Sequence, residues 1–207
     1  MIFILAVAVV FVLLIVAEVW WRTRPVHGEF SRKFVHITVG SFVAFWPWFL
    51  SWNQIRFLSL AFLIGISISK AFKIFRSIHS VGRPTWGEVF FALAVGLTTF
   101  ITHDKWVFMA ALLQMSLADG LAAVVGVQYG AANRYRILGH AKSLVGSLAF
   151  VIVSLAILLL FQDQSGVMVG VARLISLPLL GAAVENFGIA GLDNLFVPLL
   201  FAAALTH

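Results

Sequence analysis

Cysteine is absent from the 207-residue sequence, which excludes disulfide bonds and thiolate metal sites. Charged residues are also scarce, at 11% of the chain, whereas a soluble domain has about 25%. Hydrophobic residues make up 62%, against about 45–50% in a soluble domain. A chain of this length cannot hide so much apolar surface in a soluble fold, so the composition predicts that much of its surface faces lipid.

Several catalytic motifs are missing as well. The sequence has no HExxH, no histidine pair at metal-ligand spacing and no GxSxG, so zinc hydrolysis and serine hydrolase chemistry have no support. The GxxxxGK[ST] phosphate-binding loop is also absent. The first apolar run, residues 2–21, is longer than the core of a signal peptide and lacks a basic start, so we expect it to be a retained helix.

Long apolar runs dominate what the sequence does contain. A membrane-spanning helix needs about 20 such residues, and lipid forces the backbone of each span to be helical. We therefore predict an all-α, polytopic transmembrane bundle of seven or eight spans, forming a single integral membrane domain over residues 1–207. The predicted spans are 2–21, 35–52, 55–75, 88–102, 106–127, 144–161, 167–184 and the short run 195–206.

The basic residues predict the orientation of this multi-pass bundle. Loops 22–34, 70–87 and 128–143 hold eleven of the fourteen lysines and arginines. The positive-inside rule places these loops in the cytoplasm and the N-terminus outside. The net charge of +6 therefore reports topology, and we expect no nucleic-acid partner. An aromatic belt is predicted at the outer span ends, formed by Trp46, Trp48, Trp52 and Trp106.

One acidic residue, Asp119, lies inside the fifth predicted span. An ionisable residue in a span is a functional-site hypothesis, because its desolvation must be compensated. Asp119 shares a helix face with Ala123, Gly126 and Gly130, which follow at intervals of four, three and four residues. Such small residues allow a ligand or another helix to approach closely. The alternative is a packing seam in which Asp119 pairs with a lysine or arginine.

Basic residues occur at two predicted helix starts. Lys142 and Ser143 open the sixth span, and a helix N-terminus with an adjacent lysine is a natural phosphate site. The alternative is a capped helix with a snorkelling lysine. At the second span, Arg32, Lys33 and His36 can share one helix face, and His36 is a candidate general acid or base. The alternative there is a basic anchor at the headgroup level.

Taken in order, five motifs resemble those of the CTP-dependent polyprenol kinase family. The resemblance covers roughly residues 30–200, and one departure from the family pattern is Val145, where an acidic residue is frequent. The motifs are Arg32-Lys33-x-x-His36, Gly87-Glu88, Ala118-Asp119 with Gly126 and Gly130, Lys142-Ser143-x-x-Gly146-Ser147, and Glu185-Asn186 followed by Asp193-Asn194-x-x-x-Pro198.

The resemblance implies a membrane kinase that transfers the γ-phosphate of CTP to a lipid alcohol at the cytoplasmic face. The acceptor would be a phytol- or dolichol-like isoprenoid alcohol, or diacylglycerol, and Mg²⁺ would be the cofactor. Asp119 would bind the metal, with a further ligand from Glu88, Glu185 or Asp193. The residues expected to hold the nucleotide are Arg32, Lys33, Gly126, Gly130, Lys142, Ser143, Gly146 and Ser147. His36 or one of the carboxylates would accept the hydroxyl proton.

Two other classes of function stay open. A phosphatidate cytidylyltransferase also uses CTP, but its signature of Lys-Asp with a later Asp-Arg is not found here. A small transporter usually places its site near the bilayer midplane between related repeats. In this sequence the polar residues gather at one predicted membrane face and no repeat is visible, which favours an enzyme.

Overall fold

The computed structural model describes residues 2–23, 29–72 and 86–206, and the side chains of residues 20–23, 29, 31, 32 and 70–72 lie outside its described part. These ranges form nine α-helices, a π-helical segment and a β-hairpin. The helices are α1 (Ile2–Thr23), α2 (Glu29–Ala44), α3 (Trp52–Phe72), α4 (Gly87–Ile101), α5 (Lys105–Leu113), α6 (Asp119–Tyr129), α7 (Leu144–Ser165), α8 (Val171–Phe187) and α9 (Asp193–Leu205). The hairpin pairs β1 (Arg134–Ile137) with β2 (His140–Ser143).

Each of the eight predicted spans corresponds to a helix, with α5 and α6 together forming the fifth. Within the described ranges, four helical stretches are long and apolar enough to cross a membrane, namely Ile2–Val19, Trp52–Ser69, Lys105–Tyr129 and Leu144–Ser165. Helices α4 and α9 are apolar but shorter. The described residues therefore form a helical membrane bundle, whereas the count of seven or eight crossings and the outside N-terminus stay predictions. Four residues of the charge argument lie outside the described residues: Arg24, Lys73, Arg76 and Arg83.

The hairpin is a departure from the all-α prediction. Its strands are antiparallel and four residues long, with Tyr135 opposite Lys142. The two turn residues, Leu138 and Gly139, both have positive φ, at 49° and 83°. Two consecutive residues with positive φ are the geometry of a type I′ turn, whose usual signal is Asn-Gly or Asp-Gly. With leucine in the first turn position, the sequence lacks that signal.

The π-helical segment, Gln114–Ala118, joins α5 to α6 in one continuous rod. The rod occupies the centre of the bundle, since 78% of Lys105–Tyr129 is buried, against 28% to 33% of the other three long stretches. Helices α2, α7 and α9 pack around it. Residues on α1 such as Ile4 and Phe11 are exposed instead, as expected for a surface that faces lipid.

The two ends of the bundle differ in chemistry. At one end lie the first residues of α2, α4, α7 and α9 and the last residues of α8, which carry most of the motif side chains. At the other end lie tryptophans of the predicted aromatic belt: the rings of Trp48 and Trp106 are 4.8 Å apart, and the Lys105 ammonium lies 5.3 Å from the Trp48 ring. Trp46, predicted to belong to the belt, is instead buried in the core at 6% exposure, and the belt at the outer face stays a prediction. The polar residues of interest are therefore concentrated at one end.

Candidate active site

A buried ion pair links the second and fifth predicted spans. Asp119, the first residue of α6, accepts a hydrogen bond of 2.5 Å from the Lys33 ammonium on α2. Both residues are almost fully buried, at 1% and 4% exposure. A charge at such a position is tolerated only when it is paired, and here each residue compensates the other. The lysine partner of Asp119 that the sequence analysis left open is thus Lys33.

His36 lies one helical turn after Lys33 and joins the same cluster. Its Nε2 atom is 3.5 Å from the Asp119 carboxylate and 2.8 Å from the carbonyl oxygen of Met115. A carbonyl oxygen can only accept a hydrogen bond, so Nε2 carries the hydrogen and donates the hydrogen bond to the Met115 carbonyl. Met115 belongs to the π-helical segment, a distortion often found at functional sites. The segment therefore supplies the hydrogen-bond partner of His36, and Asp119, which directly follows the segment, contacts α2 as well.

A second ion pair is formed by Lys142 and Glu185. The Lys142 ammonium donates to the Glu185 carboxylate and, at 2.9 Å, to the Glu185 carbonyl oxygen. Burial alone would lower the pKa of Lys142, but the Glu185 carboxylate outweighs burial and raises the pKa above its usual value. Lys142 is therefore a fixed positive charge. The sequence analysis put it at a helix start, but it lies in β2 and α7 begins at Leu144.

Ser143 is the N-cap of α7. Its hydroxyl accepts a hydrogen bond of 3.1 Å from the Gly146 amide, the usual role of serine at this position. A Cβ on Gly126 would lie 2.9 Å from the Ser143 hydroxyl, and one on Gly130 would lie 2.4 Å from it. The small face of α6 thus packs against the first turn of α7, the seam that the sequence analysis kept as its alternative. Nucleotide contact by Gly126, Gly130 and Gly146 stays a prediction.

Three carboxylates converge where the two ion pairs meet: Asp119 and Glu185 belong to the pairs, and Asp193 lies beside them. Asp119, Glu185 and Asp193 each place an oxygen within 4.8 Å of the others. The Asp193 Oδ1 atom is buried and has no hydrogen-bond partner among the described residues. All three are among the acids that the sequence analysis proposed as metal ligands, whereas the fourth of those acids, Glu88, is not in this group. Oxygen donors in this arrangement fit a hard cation such as Mg²⁺.

A polar network secures the hairpin, and the sequence analysis missed most of it. The Tyr135 hydroxyl donates to the Asn186 side-chain oxygen at 2.8 Å and lies 2.7 Å from the Ser147 hydroxyl. The Asn186 amide donates to Ser147 at 2.9 Å. Ser147, predicted to contact nucleotide, is thus engaged within the protein. Since Tyr135 pairs with Lys142 across the hairpin, this network fixes the strand that carries the lysine.

The start of α4 is held against the loop between α8 and α9. The Asn194 amide donates to the Gly87 carbonyl at 3.0 Å, and the Trp86 amide donates to the Ala190 carbonyl at 2.9 Å. Gly191 has φ of +95°, and a Cβ there would lie 2.5 Å from the Gly87 backbone. Only glycine fits this approach. The Gly87-Glu88 motif is thereby brought beside the Asp193 helix.

An apolar groove opens next to the carboxylates. Its empty space is about 560 Å³, part of it open to the surroundings, and its polar lining side chains are His36, Glu88 and Asn194. Its other walls come from α1, α2, α3 and α4: Leu14, Val35, Val39, Phe62, Ile66, Gly87 and Phe91. Glu88, which was weighed as a metal ligand, thus lies at the groove and not in the carboxylate group. His36 belongs to both the groove and the Asp119 cluster.

Most of the predicted site residues therefore meet at one end of the bundle. Lys33, His36 and Asp119 form one cluster, and Lys142 and Glu185 form the other. Asp193 joins them through the carboxylate group. The side chain of Arg32, predicted to bind nucleotide, lies outside the described part of the chain.

Comparison with known proteins agrees with the motifs. No family model and no solved structure matches the chain. Among curated proteins, the phytol kinase of Synechocystis sp. is 32% identical over 189 residues, which cover 88% of this chain and 81% of that protein. Similarity over most of the length of both chains indicates that the two proteins belong to the same family. The chain belongs to the polyprenol and phytol kinase family.

Proposed function

We propose that the protein is a lipid-alcohol kinase that transfers the γ-phosphate of CTP to an isoprenoid alcohol at the cytoplasmic face of a membrane. The observation that carries the proposal is the meeting of three carboxylates, the buried Lys33 and the partly buried Lys142 beside an apolar groove. In phosphoryl transfer, the protein mainly positions the reactants and stabilises the charge on the phosphate oxygens. The similar Synechocystis protein, a phytol kinase, supports a prenol acceptor.

Asp119, Glu185 and Asp193 would hold Mg²⁺. Their oxygens suit this cation, and the unpartnered Asp193 Oδ1 is a buried acceptor that a metal would satisfy. When bound, Mg²⁺ supplies positive charge that offsets the phosphate oxygens. Glu185 and Asp193 lie on neighbouring elements, at the end of α8 and the start of α9. A short connection thus sets the spacing of two of the three ligands.

Lys33 and Lys142 would bind the triphosphate. Each is paired with a carboxylate of the same metal group, Lys33 with Asp119 and Lys142 with Glu185. These pairs keep the buried acids compensated in the nucleotide-free protein. We propose that the lysines turn from the carboxylates to phosphate oxygens when metal and nucleotide bind together. Arg32 is proposed to assist from the same turn of α2 as Lys33.

The acceptor alcohol would lie in the groove with its hydroxyl at the polar end. The alcohol oxygen forms a new bond to the γ-phosphorus, the bond from that phosphorus to the bridging oxygen of CTP breaks, and CDP leaves. The hydroxyl proton passes to His36, Glu88 or another carboxylate of the site. His36 is well placed because it contacts both the groove and the Asp119 cluster.

The test uses purified protein in nanodiscs with γ-labelled CTP and a panel of prenols. We expect labelled prenyl phosphate, and Asp193→Asn should lower kcat on the order of 100-fold, since one metal ligand accounts for several kcal/mol of charge stabilisation. The control is Asp163→Asn, an exposed acid in the last turn of α7 at the other end of the bundle.

Other outcomes point elsewhere. A CDP-lipid product with release of pyrophosphate would indicate a cytidylyltransferase, and prenol flux without a nucleotide requirement would indicate a transporter. A wild-type rate for Asp193→Asn would refute the metal assignment. Competition by unlabelled ATP and GTP measures the preference for CTP.

A further inference from the structure

The β-hairpin carries two arginines that the site does not use. Arg134 and Arg136 lie two positions apart on β1, so they share one face of the strand, and both are exposed. Neither has a hydrogen-bond or ion-pair partner among the residues that the structure describes. The opposite face of β1 holds Tyr135, whose hydroxyl donates to Asn186. The hairpin is therefore fastened to the bundle on one side and presents two positive charges on the other.

The hairpin lies where the lipid-facing surface of α7 begins. Exposed apolar residues recur along this helix at intervals of three or four, namely Leu144, Leu148, Ile152, Leu155 and Leu159. Such a stripe faces hydrocarbon in a membrane bundle, so its first residue marks the level at which the headgroups begin. Arg134 is paired with Ser143, the residue before Leu144, and paired Cα atoms of antiparallel strands are about 4.5–5.5 Å apart. Arg134 is therefore at the level of the headgroups.

The turn of the hairpin is also suited to a lipid surface. Leu138 has a positive φ of 49°, a conformation that leucine rarely adopts, and its exposure is 64%. The protein gives this side chain little apolar contact, whereas the boundary between headgroups and acyl chains would bury it. A basic face together with exposed apolar residues is typical of elements that lie in a membrane interface.

We propose that Arg134 and Arg136 bind the headgroups of anionic phospholipids in the surrounding bilayer, and that this contact holds Lys142 in place. A guanidinium can donate two parallel hydrogen bonds to one phosphate, and each basic residue near an anionic surface improves binding about fivefold. Tyr135 lies between the two arginines and opposite Lys142, so a lipid that fixes β1 also fixes the lysine. This second part rests on the proposed function, in which Lys142 binds the nucleotide.

The first test measures KM for CTP in nanodiscs of phosphatidylcholine with no or about 30% phosphatidylglycerol. An anionic surface by itself repels the nucleotide and raises KM. For the wild type we expect the opposite, a KM at least threefold lower in the anionic discs. In the double variant Arg134→Gln with Arg136→Gln, KM should instead stay level or rise. Lys105→Gln is the matched control, because it removes an exposed charge at the aromatic end and should keep the wild-type lipid dependence.

The discs without phosphatidylglycerol distinguish lipid from nucleotide as the ligand of the arginines. Here the double variant and the wild type should have the same KM for CTP, because no anionic headgroup is present. A higher KM of the double variant in these discs would mean that the arginines bind the nucleotide, which would overturn the proposal. A wild-type KM that does not fall when phosphatidylglycerol is added would overturn the link between the lipid and Lys142.

A binding readout does not depend on kinase activity. Since the chain has no cysteine, Leu138→Cys can carry a single fluorophore, which spin-labelled phosphatidylglycerol or phosphatidylcholine in the discs can quench. We expect at least threefold stronger quenching by the labelled phosphatidylglycerol, and equal quenching by both lipids once Arg134 and Arg136 are glutamine. This preference in a protein that phosphorylates no prenol would overturn the kinase assignment and leave the lipid contact standing. Equal quenching with both arginines present would overturn the lipid contact itself.

Discussion

At the scale of single residues, the site is a set of buried charges that compensate one another. Asp119 is accessible to almost no solvent, and Lys33 supplies its counter-charge at 2.5 Å. Such a pair is weak evidence of stabilisation, because desolvation of two ions offsets much of their attraction. Removing one partner is different, since the other charge then stays buried without compensation. The pair is therefore better explained by function than by stability.

Lys33→Met should lower the free energy of unfolding by about 3–5 kcal/mol, because it leaves the Asp119 carboxylate uncompensated. The double variant Lys33→Met with Asp119→Leu should recover most of that loss, since it buries no lone charge, but it should have no kinase activity. Lys105→Met, at the aromatic end of the bundle, should change stability by less than about 0.5 kcal/mol. Unfolding monitored in detergent measures all three. Equal stability of Lys33→Met and wild type would contradict the assigned pair.

Residue patterns predicted the identity of the acids better than their partners. The motifs singled out Asp119, Glu88, Glu185 and Asp193 as acids of the site, and the oxygens of Asp119, Glu185 and Asp193 converge. The sequence could not predict that Lys33 pairs with Asp119 and Lys142 with Glu185. The two residues of the first pair are 86 positions apart and those of the second pair 43. Such contacts depend on how the helices pack against one another. Residue spacing along a single helix carries no information about that packing.

At the scale of elements, the hairpin and the π-helical segment are the parts that the sequence did not predict. Strands of four residues are too short to show an alternating pattern, and the Leu138-Gly139 turn lacks the usual signal. A π-helical segment inside an apolar span leaves no mark in hydropathy. Both elements position site residues: β2 carries Lys142, and the π segment precedes Asp119.

Tyr135→Phe tests the role of the hairpin. Loss of the hydroxyl removes the hydrogen bond to Asn186 and the contact with Ser147, so the strand that carries Lys142 becomes less well fixed. We expect KM for CTP to rise about tenfold, with a smaller change in kcat and in the KM for prenol. Tyr129→Phe is the matched control, because Tyr129 is 65% exposed. An unchanged KM for CTP would mean that the network does not position Lys142.

Gly191→Ala tests the contact between the α8–α9 loop and α4. An alanine Cβ would lie 2.5 Å from the Gly87 backbone, so the loop or α4 must shift and Glu88 moves with it. We expect at least a tenfold loss of kcat/KM for prenol, together with a lower melting temperature. Gly166→Ala is a strict control, since Gly166 also has positive φ, +71°, but open space around it. If both variants behave alike, backbone conformation alone is responsible and the close approach is unimportant.

At the scale of the whole molecule, the positions of the helices along the chain follow from hydropathy, because lipid leaves the backbone few alternatives. The eight predicted segments correspond to helices, and the polar ends of α2, α4, α7, α8 and α9 lie together. The side of the membrane on which they lie is a separate question. It rests on the basic loops, and much of those loops lies outside the described residues.

The absence of cysteine allows that side to be measured directly. Helix α7 has 22 residues and is about 33 Å long, close to the thickness of the hydrocarbon core, so its two ends should be on opposite sides. Ala132 precedes the hairpin at one end, and Met168 follows α7 at the other; both are exposed. In intact cells, an impermeant maleimide should label Met168→Cys and should label Ala132→Cys only after permeabilisation. The reverse pattern would put the carboxylates on the side without CTP, and phosphoryl transfer from cytosolic nucleotide would then be impossible. Labelling of both in intact cells would mean that α7 does not cross the membrane, which would undo the topology on which the nucleotide side of the site depends.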